Sequence, residues 1–238
     1  MTVDVLAIGA HPDDADLGVG GLLCKVAATG RRAAILDLTA GELGSRGTVE
    51  ERAAEAAEAA RLLGVCERRN AGLPDGGVAN TPEQRLAVIR TIRALRPKVL
   101  LAPMTPDRHP DHTAAHDLVR DANFFAGVHG IETGQPAYRA GTIYYYHAYE
   151  DFGPEPTRVV DISRVFAQKL EAVRAFRSQF YNPDYPGPET LVASKAFWER
   201  IAVRAAYWGG RIGVSHGEPL HGTIPVAMDL PPELENIP

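Results

Sequence analysis

The sequence predicts an α/β fold: a Rossmann-like open, mainly parallel sheet with helices on both faces, followed by a smaller C-terminal α+β portion. Short apolar runs of strand length alternate with helical patterns through the first half, in the order β-α-β-α-β-α-β, which implies parallel pairing through right-handed crossovers. From about residue 128 the rhythm changes to loops rich in Gly and Pro and to short aromatic strands. A length of 238 residues, 45% of them hydrophobic, is enough for one full core. The chain therefore reads as a single domain, with 1–127 as the parallel half and 128–238 completing the pocket.

The elements follow in order. Val3 to Ala10 is a first strand, and Leu17 to Thr29 has a helical pattern stopped by Gly30. Ala33 to Leu38 is the second strand. Thr48 and Glu51 form a capping box that opens an alanine-rich helix to Leu63, with Gly64 as its stop. Val65 to Ala71 is a weaker strand, Pro82 to Leu95 a helix, and Lys98 to Ala102 a buried strand bounded by Pro97 and Pro103. Beyond the 127–141 loop come strands at Thr142 to His147 and Val159 to Ile162. Ser163 is placed to cap a helix whose stripe is Phe166, Leu170, Val173 and Phe180. A Pro-rich loop from Asn182 to Pro188 leads to a helix over Ala193 to Tyr207, a short strand at Ile212 to Val214 and a loop-like tail.

A net charge of -5 argues against nucleic-acid and membrane-surface partners, because it repels phosphate overall. The apolar N-terminal stretch has no basic leader and is interrupted by Asp4, so a soluble cytoplasmic protein is expected. No run approaches the length of a spanning helix. Cys24 and Cys66 form no C-x-x-C pair and read as buried thiols.

Ligands of open parallel sheets bind beyond the carboxyl ends of the strands. Each post-strand loop here is charged: His11-Pro12-Asp13-Asp14, then Gly41 to Arg46, then Leu73-Pro74-Asp75-Gly76, then Asp107 to His112. The first loop stands where a dinucleotide fold would place its glycines. Its carboxylates would repel a pyrophosphate, whereas His and Asp three residues apart on a tight turn converge on a cation. A second His from the fourth loop would complete a three-ligand site with an open position for water. Two H-P-D tripeptides, each just after a strand of one sheet, are hard to explain as solvated turns. Spacing leaves His109 and His112 competing for the metal, with His116 one turn further on. Three ligands suit hydrolytic zinc better than four, which leaves His116 structural. His147 reads as a neighbour of the site or a satisfied structural His, and Tyr144-Tyr145-Tyr146 is most simply strand packing, with one hydroxyl able to reach the rim. His129, His216 and His221 fall in loops.

Ala10-His11-Pro12-Asp13-Asp14 and His109-Pro110-Asp111-His112 resemble the paired signatures of the PIG-L (LmbE-like) deacetylases. The likeness extends through Gly41-Glu42-Leu43-Gly44, Thr48 to Arg52, Lys169 to Gln179 and Gly213 to Leu220, segments similar to the bacillithiol-biosynthesis branch, whose members deacetylate N-acetylglucosaminyl malate. The resemblance implies a zinc-dependent N-deacetylase with one Zn2+ per chain held by His11, Asp14 and His112. It makes Asp13 the general base, and makes His109, oriented by Asp111, the group that stabilises or protonates the tetrahedral intermediate. Arg52 and Arg108 match substrate-pocket arginines. Arginine suits planar carboxylates, which fits a malate aglycone and keeps Arg46 and Arg139 as further candidates. Homo-oligomers, hexamers among them, are also implied. Many relatives have Glu after the paired aspartates where this chain has Ala15 and Asp16. Alternatives are a chitooligosaccharide or N-acetylglucosaminyl-lipid deacetylase, a thiol-conjugate amidase, or a non-catalytic metal- or sugar-binding protein. Asp13, which a metal does not need, speaks against the last. A site of two His and one Asp also accepts other divalent metals.

Overall fold

A computed structural model describes residues 2–222. Five strands form the parallel part of one sheet: β1 (Val5–Gly9), β2 (Ala33–Thr39), β3 (Glu67–Leu73), β4 (Val99–Pro103) and β5 (Thr142–Tyr146). β6 (Arg158–Asp161) and β7 (Gly217–Gly222) extend it in the order β3-β2-β1-β4-β5-β7-β6, with β7 antiparallel to both neighbours. Side chains alternate across the pleat. Leu6, Ile8, Leu36 and Leu100 face α3 (Pro82–Leu95) and α4 (Pro110–Ala126). Val5, Ala7, Ile35 and Leu101 face a second layer formed by α1 (Asp14–Ala28), α2 (Val49–Leu63), α5 (Phe166–Arg174) and α6 (Lys195–Gly210). Both faces are covered, as the unbroken burial of β1 and β2 requires.

The strongest local signals held. Thr48 and Glu51 make the reciprocal capping box of α2, and Gly64 ends it at φ 75. Thr81 caps α3 with Pro82 in its first turn. Other boundaries moved. α1 begins at Asp14 rather than Leu17 and breaks its helical geometry at Val19. There the second segment exposes two amide donors, and Glu218 of β7 accepts both, from Gly21 at 2.8 Å and Leu22 at 2.7 Å. Lys169 pairs with the same carboxylate at 2.6 Å, both side chains being buried. Ser163 does not cap α5, which starts at Phe166; its hydroxyl instead accepts the amide of His216. α5 stops at Arg174, leaving Phe180 buried but outside the helix. Ile212 to Val214 is a turn, and the strand lies later, in β7, whose residues were expected in a loop. The rest of the expected tail, 223–238, lies outside the described residues. Cys24 is buried as expected, whereas Cys66 is exposed. No helix among the described residues is long and apolar enough to cross a membrane.

Candidate metal-dependent active site

β1 and β4 are neighbours in the sheet, with Val5 opposite Val99. Strand order reverses direction between them, and the crevice beyond the carboxyl ends at such a point is where open α/β sheets bind ligands. The loops after these two strands bring His11, Asp13, Asp14, His109, Asp111 and His112 together. At the first loop Asp13 takes φ 119, a left-handed conformation that costs a non-glycine residue roughly 1–3 kcal/mol. Gly9 has to be small, because a Cβ would lie 3.0 Å from that of Asp14. At the second, His109 caps α4 with its Nδ1 accepting the Asp111 amide at 3.3 Å, and Pro110 fixes the first helical residue.

Asp14 Oδ2 lies 3.5 Å from His11 Nδ1 and 3.2 Å from His112 Nε2. His112 Nε2 and the other carboxylate oxygen, Asp14 Oδ1, are nonetheless buried without a hydrogen-bond partner, and so is Asp13 Oδ1. Ligand atoms about 2.1 Å from a tetrahedral zinc ion stand about 3.4 Å apart. The remaining nitrogens are held from outside: His11 Nε2 by Asp75 at 3.0 Å and Asp111 at 3.3 Å, His112 Nδ1 by Asp107 at 3.2 Å. Carboxylates behind histidines fix ring orientation at metal centres. Two sets bring all their ligand atoms within 4.8 Å of one another, His11 with His109 and His112, and His11 with Asp75 and Asp111. The second uses the outer nitrogen of His11, and the first lacks the buried, unpartnered Asp14 Oδ1, so the donors around Asp14 fit a divalent cation best.

The charges agree. Burial opposes a charged His11, but Asp14 and Asp75 hold its pKa up at about 11. His112 is raised to about 9 against burial by Asp14 and Asp107. Asp14 is buried yet held well below the usual carboxylate range by His112 and His11. Protons on the two rings balance the carboxylates, and a bound cation would take over that task, releasing them. Burial raises Asp13, with Arg52 opposing the shift, and burial followed by the charges of His11 and His112 lowers His109.

Two expected roles change. The Asp111 carboxylate does not reach His109; it accepts the amides of Gly76 and Val78 and faces His11. Arg52 is buried, its guanidinium donating to the carbonyls of Gly41 and Pro12 and to Asp13 rather than standing open at the rim. Arg46 is likewise turned inward onto the carbonyls of Ser178 and Pro188. Arg139 lies over Phe124. Arg108 is exposed, 5.8 Å from the ring centre of Tyr149. Tyr149 stacks on His112 with 5.5 Å between ring centres. Sequence reasoning gave Tyr149 and Asp107 no role: Tyr149 follows a strand with no motif around it, while Asp107, just before the second H-P-D, did carry a positional hint. His116 bonds the Pro103 carbonyl and packs on Tyr145, a structural place. His147 is buried behind Asp107, 3.8 Å away. His221 lies in β7 beside it rather than in a loop. The Tyr146 hydroxyl bonds the Ile8 carbonyl inside the sheet and not the rim.

Residues 6–123 match the PIG-L family, described as GlcNAc-PI de-N-acetylase. The diacetylchitobiose deacetylase of Thermococcus kodakarensis is 32% identical over 191 residues, covering 74% of this chain and 70% of that protein. The chain belongs to the PIG-L deacetylase family. As a PIG-L protein it is an amide hydrolase. The crystal structure of the conserved protein TT1542 from Thermus thermophilus superposes with a TM-score of 0.86 at 40% identity, over 95% of this chain and 97% of that one. A 1D-myo-inositol 2-acetamido-2-deoxy-alpha-D-glucopyranoside deacetylase of Saccharopolyspora erythraea is 28% identical over 81% of this chain and 89% of its own. The substrates named for these PIG-L relatives carry different aglycones and do not single out the bacillithiol branch.

Proposed function

We propose that the protein is a zinc-dependent deacetylase of an N-acetylglucosamine glycoside, with His11, Asp14 and His112 as metal ligands and Asp13 as general base. The observation that carries this reading is the set of buried, unpartnered atoms Asp13 Oδ1, Asp14 Oδ1 and His112 Nε2 at the strand-order reversal. When bound, zinc supplies Lewis acidity, which activates water and polarises the amide carbonyl. Asp13 offers a free carboxylate oxygen to the proton that the attacking water must lose. Its raised pKa brings it toward the range where a base both accepts and returns a proton. His109 accepts the Asp111 amide at Nδ1, so the neutral ring carries its proton on Nε2. From there it donates to the developing oxyanion, and the leaving amine takes up the proton that Asp13 holds. His109 thus acts as a neutral donor, in keeping with its lowered pKa.

For the aglycone, the malate reading rests on Arg108, the exposed member of the expected arginine pair, standing over Tyr149 beside His112. Diacetylchitobiose is the second reading, favoured by the relative from Thermococcus kodakarensis and by the inward turn of Arg52 and Arg46. Acetate release by zinc-loaded protein from N-acetylglucosaminyl malate, diacetylchitobiose and N-acetylglucosamine, with a chelated control, tests both. Chelator-sensitive preference for the malate glycoside supports the first reading and preference for the disaccharide the second. No release from any of the three would overturn the proposal.

A further inference from the structure

We infer that Arg52 is a positioning residue for Asp13, an inference that rests on Asp13 being the base. Its Nη1 donates to the Gly41 carbonyl at 3.0 Å. Nη2 donates to the Pro12 carbonyl at 2.8 Å and stands 3.4 Å from Asp13 Oδ2. One planar cation thereby ties together the loops after β1 and β2, gripping the Asp13 carboxylate on one oxygen and leaving the other, Oδ1, without a partner and free to act. The Gly41–Gly47 loop is built around this guanidinium. Gly41 takes φ 69, and a Cβ there would overlap Nη1. A Cβ on Gly44 would lie 3.2 Å from the same nitrogen, whereas one on Gly47 would first meet Ser178 Oγ at 2.6 Å. With 4% of its surface exposed, Arg52 is held by these two carbonyls, while its Nε is buried without a partner. Leaving those buried acceptors unpaired would be costly. Asp13 itself stands in a left-handed conformation on a two-residue link between His11 and Asp14.

A positioning role and a substrate-anchoring role predict different kinetics. Arg52→Ala and Arg52→Lys are assayed zinc-loaded on N-acetylglucosamine, diacetylchitobiose and N-acetylglucosaminyl malate, with zinc content and melting temperature followed in each. Expected are a fall in kcat of about 100-fold for Arg52→Ala, the scale of an ångström-sized misplacement of a reacting group, equal on every substrate that wild type turns over. KM and zinc stoichiometry should stay near wild type. Lysine, able to reach fewer of the three acceptors, should give a smaller loss, and added guanidinium should restore part of the Arg52→Ala rate against a matched sodium salt. A KM increase confined to the malate glycoside, or an unchanged kcat, would overturn the inference. If Arg52→Ala does not fold, the KM and kcat of Arg52→Lys decide alone. Asp13→Asn is the separate control: full activity there would sink the reading of the base itself, whatever Arg52 does.

Discussion

At the scale of single residues, the site is a set of carboxylates in three different positions. Asp14 is shared between two rings, Asp13 keeps one oxygen free, and Asp107 and Asp75 stand behind the rings. The proposal assigns two of these positions different losses. Asp13→Asn should keep zinc, measured by metal analysis, and reduce kcat by about 10²–10⁴-fold, the usual contribution of a general base; zinc lost with activity would move Asp13 into the ligand set. Asp107→Ala frees His112 Nδ1 and should weaken zinc affinity about 10–100-fold, read by competition with a chromogenic chelator. An unchanged affinity would mean that the ring is held by packing on Tyr149 alone.

At the scale of elements, α1 depends on a distant strand. Its break at Val19 leaves the amides of Gly21 and Leu22 to Glu218, and Lys169 of α5 neutralises that carboxylate. Glu218→Ala removes two amide acceptors and strands a buried ammonium, so a loss of about 3–5 kcal/mol is expected in urea unfolding; a loss under 1 kcal/mol would show the pair to be solvated in solution. Elements of this kind were the hardest to see in the sequence. α2 was legible because Thr48, Glu51 and Gly64 act on their own backbone neighbours. β7 was not: its Gly-Glu-Pro-Leu-His-Gly sequence has neither apolar alternation nor β-branched residues, and only pairing with β5 and β6 makes it a strand. The same divide runs through the site. The two H-P-D clusters announced themselves because both follow strands, and parallel sheets collect such loops at one rim. What Arg52 and Asp111 touch was hidden, since it depends on where the Gly41 and Gly76 loops come to rest.

At the scale of the whole molecule, the C-terminal part is held together by an ion pair as well as by the sheet. The loop after β5 is anchored to α6 through Asp151, which accepts from Arg204 at 2.6 Å and from the Trp208 indole at 2.8 Å. Burial opposes its charge, but Arg204 and Trp208 hold its pKa below the ordinary value. A lowered carboxylate stabilises the fold fully above its ordinary pKa and loses that contribution as pH falls through the folded value. Asp151→Asn should therefore lower the urea midpoint at pH 7, and the gap to wild type should narrow below about pH 4; a constant gap would assign the effect to packing. The sheet order also bears on how the chain folds. His11 and Asp111 are 100 residues apart, and β2, α2, β3 and α3 all lie between the two loops that meet at the crevice. Closing so long a loop is a slow, non-local event in folding. No partly folded chain lacking the β1–β4 contact can gather both halves of the donor set, so the capacity to capture a cation marks, in time, the moment when the two halves of the parallel sheet join.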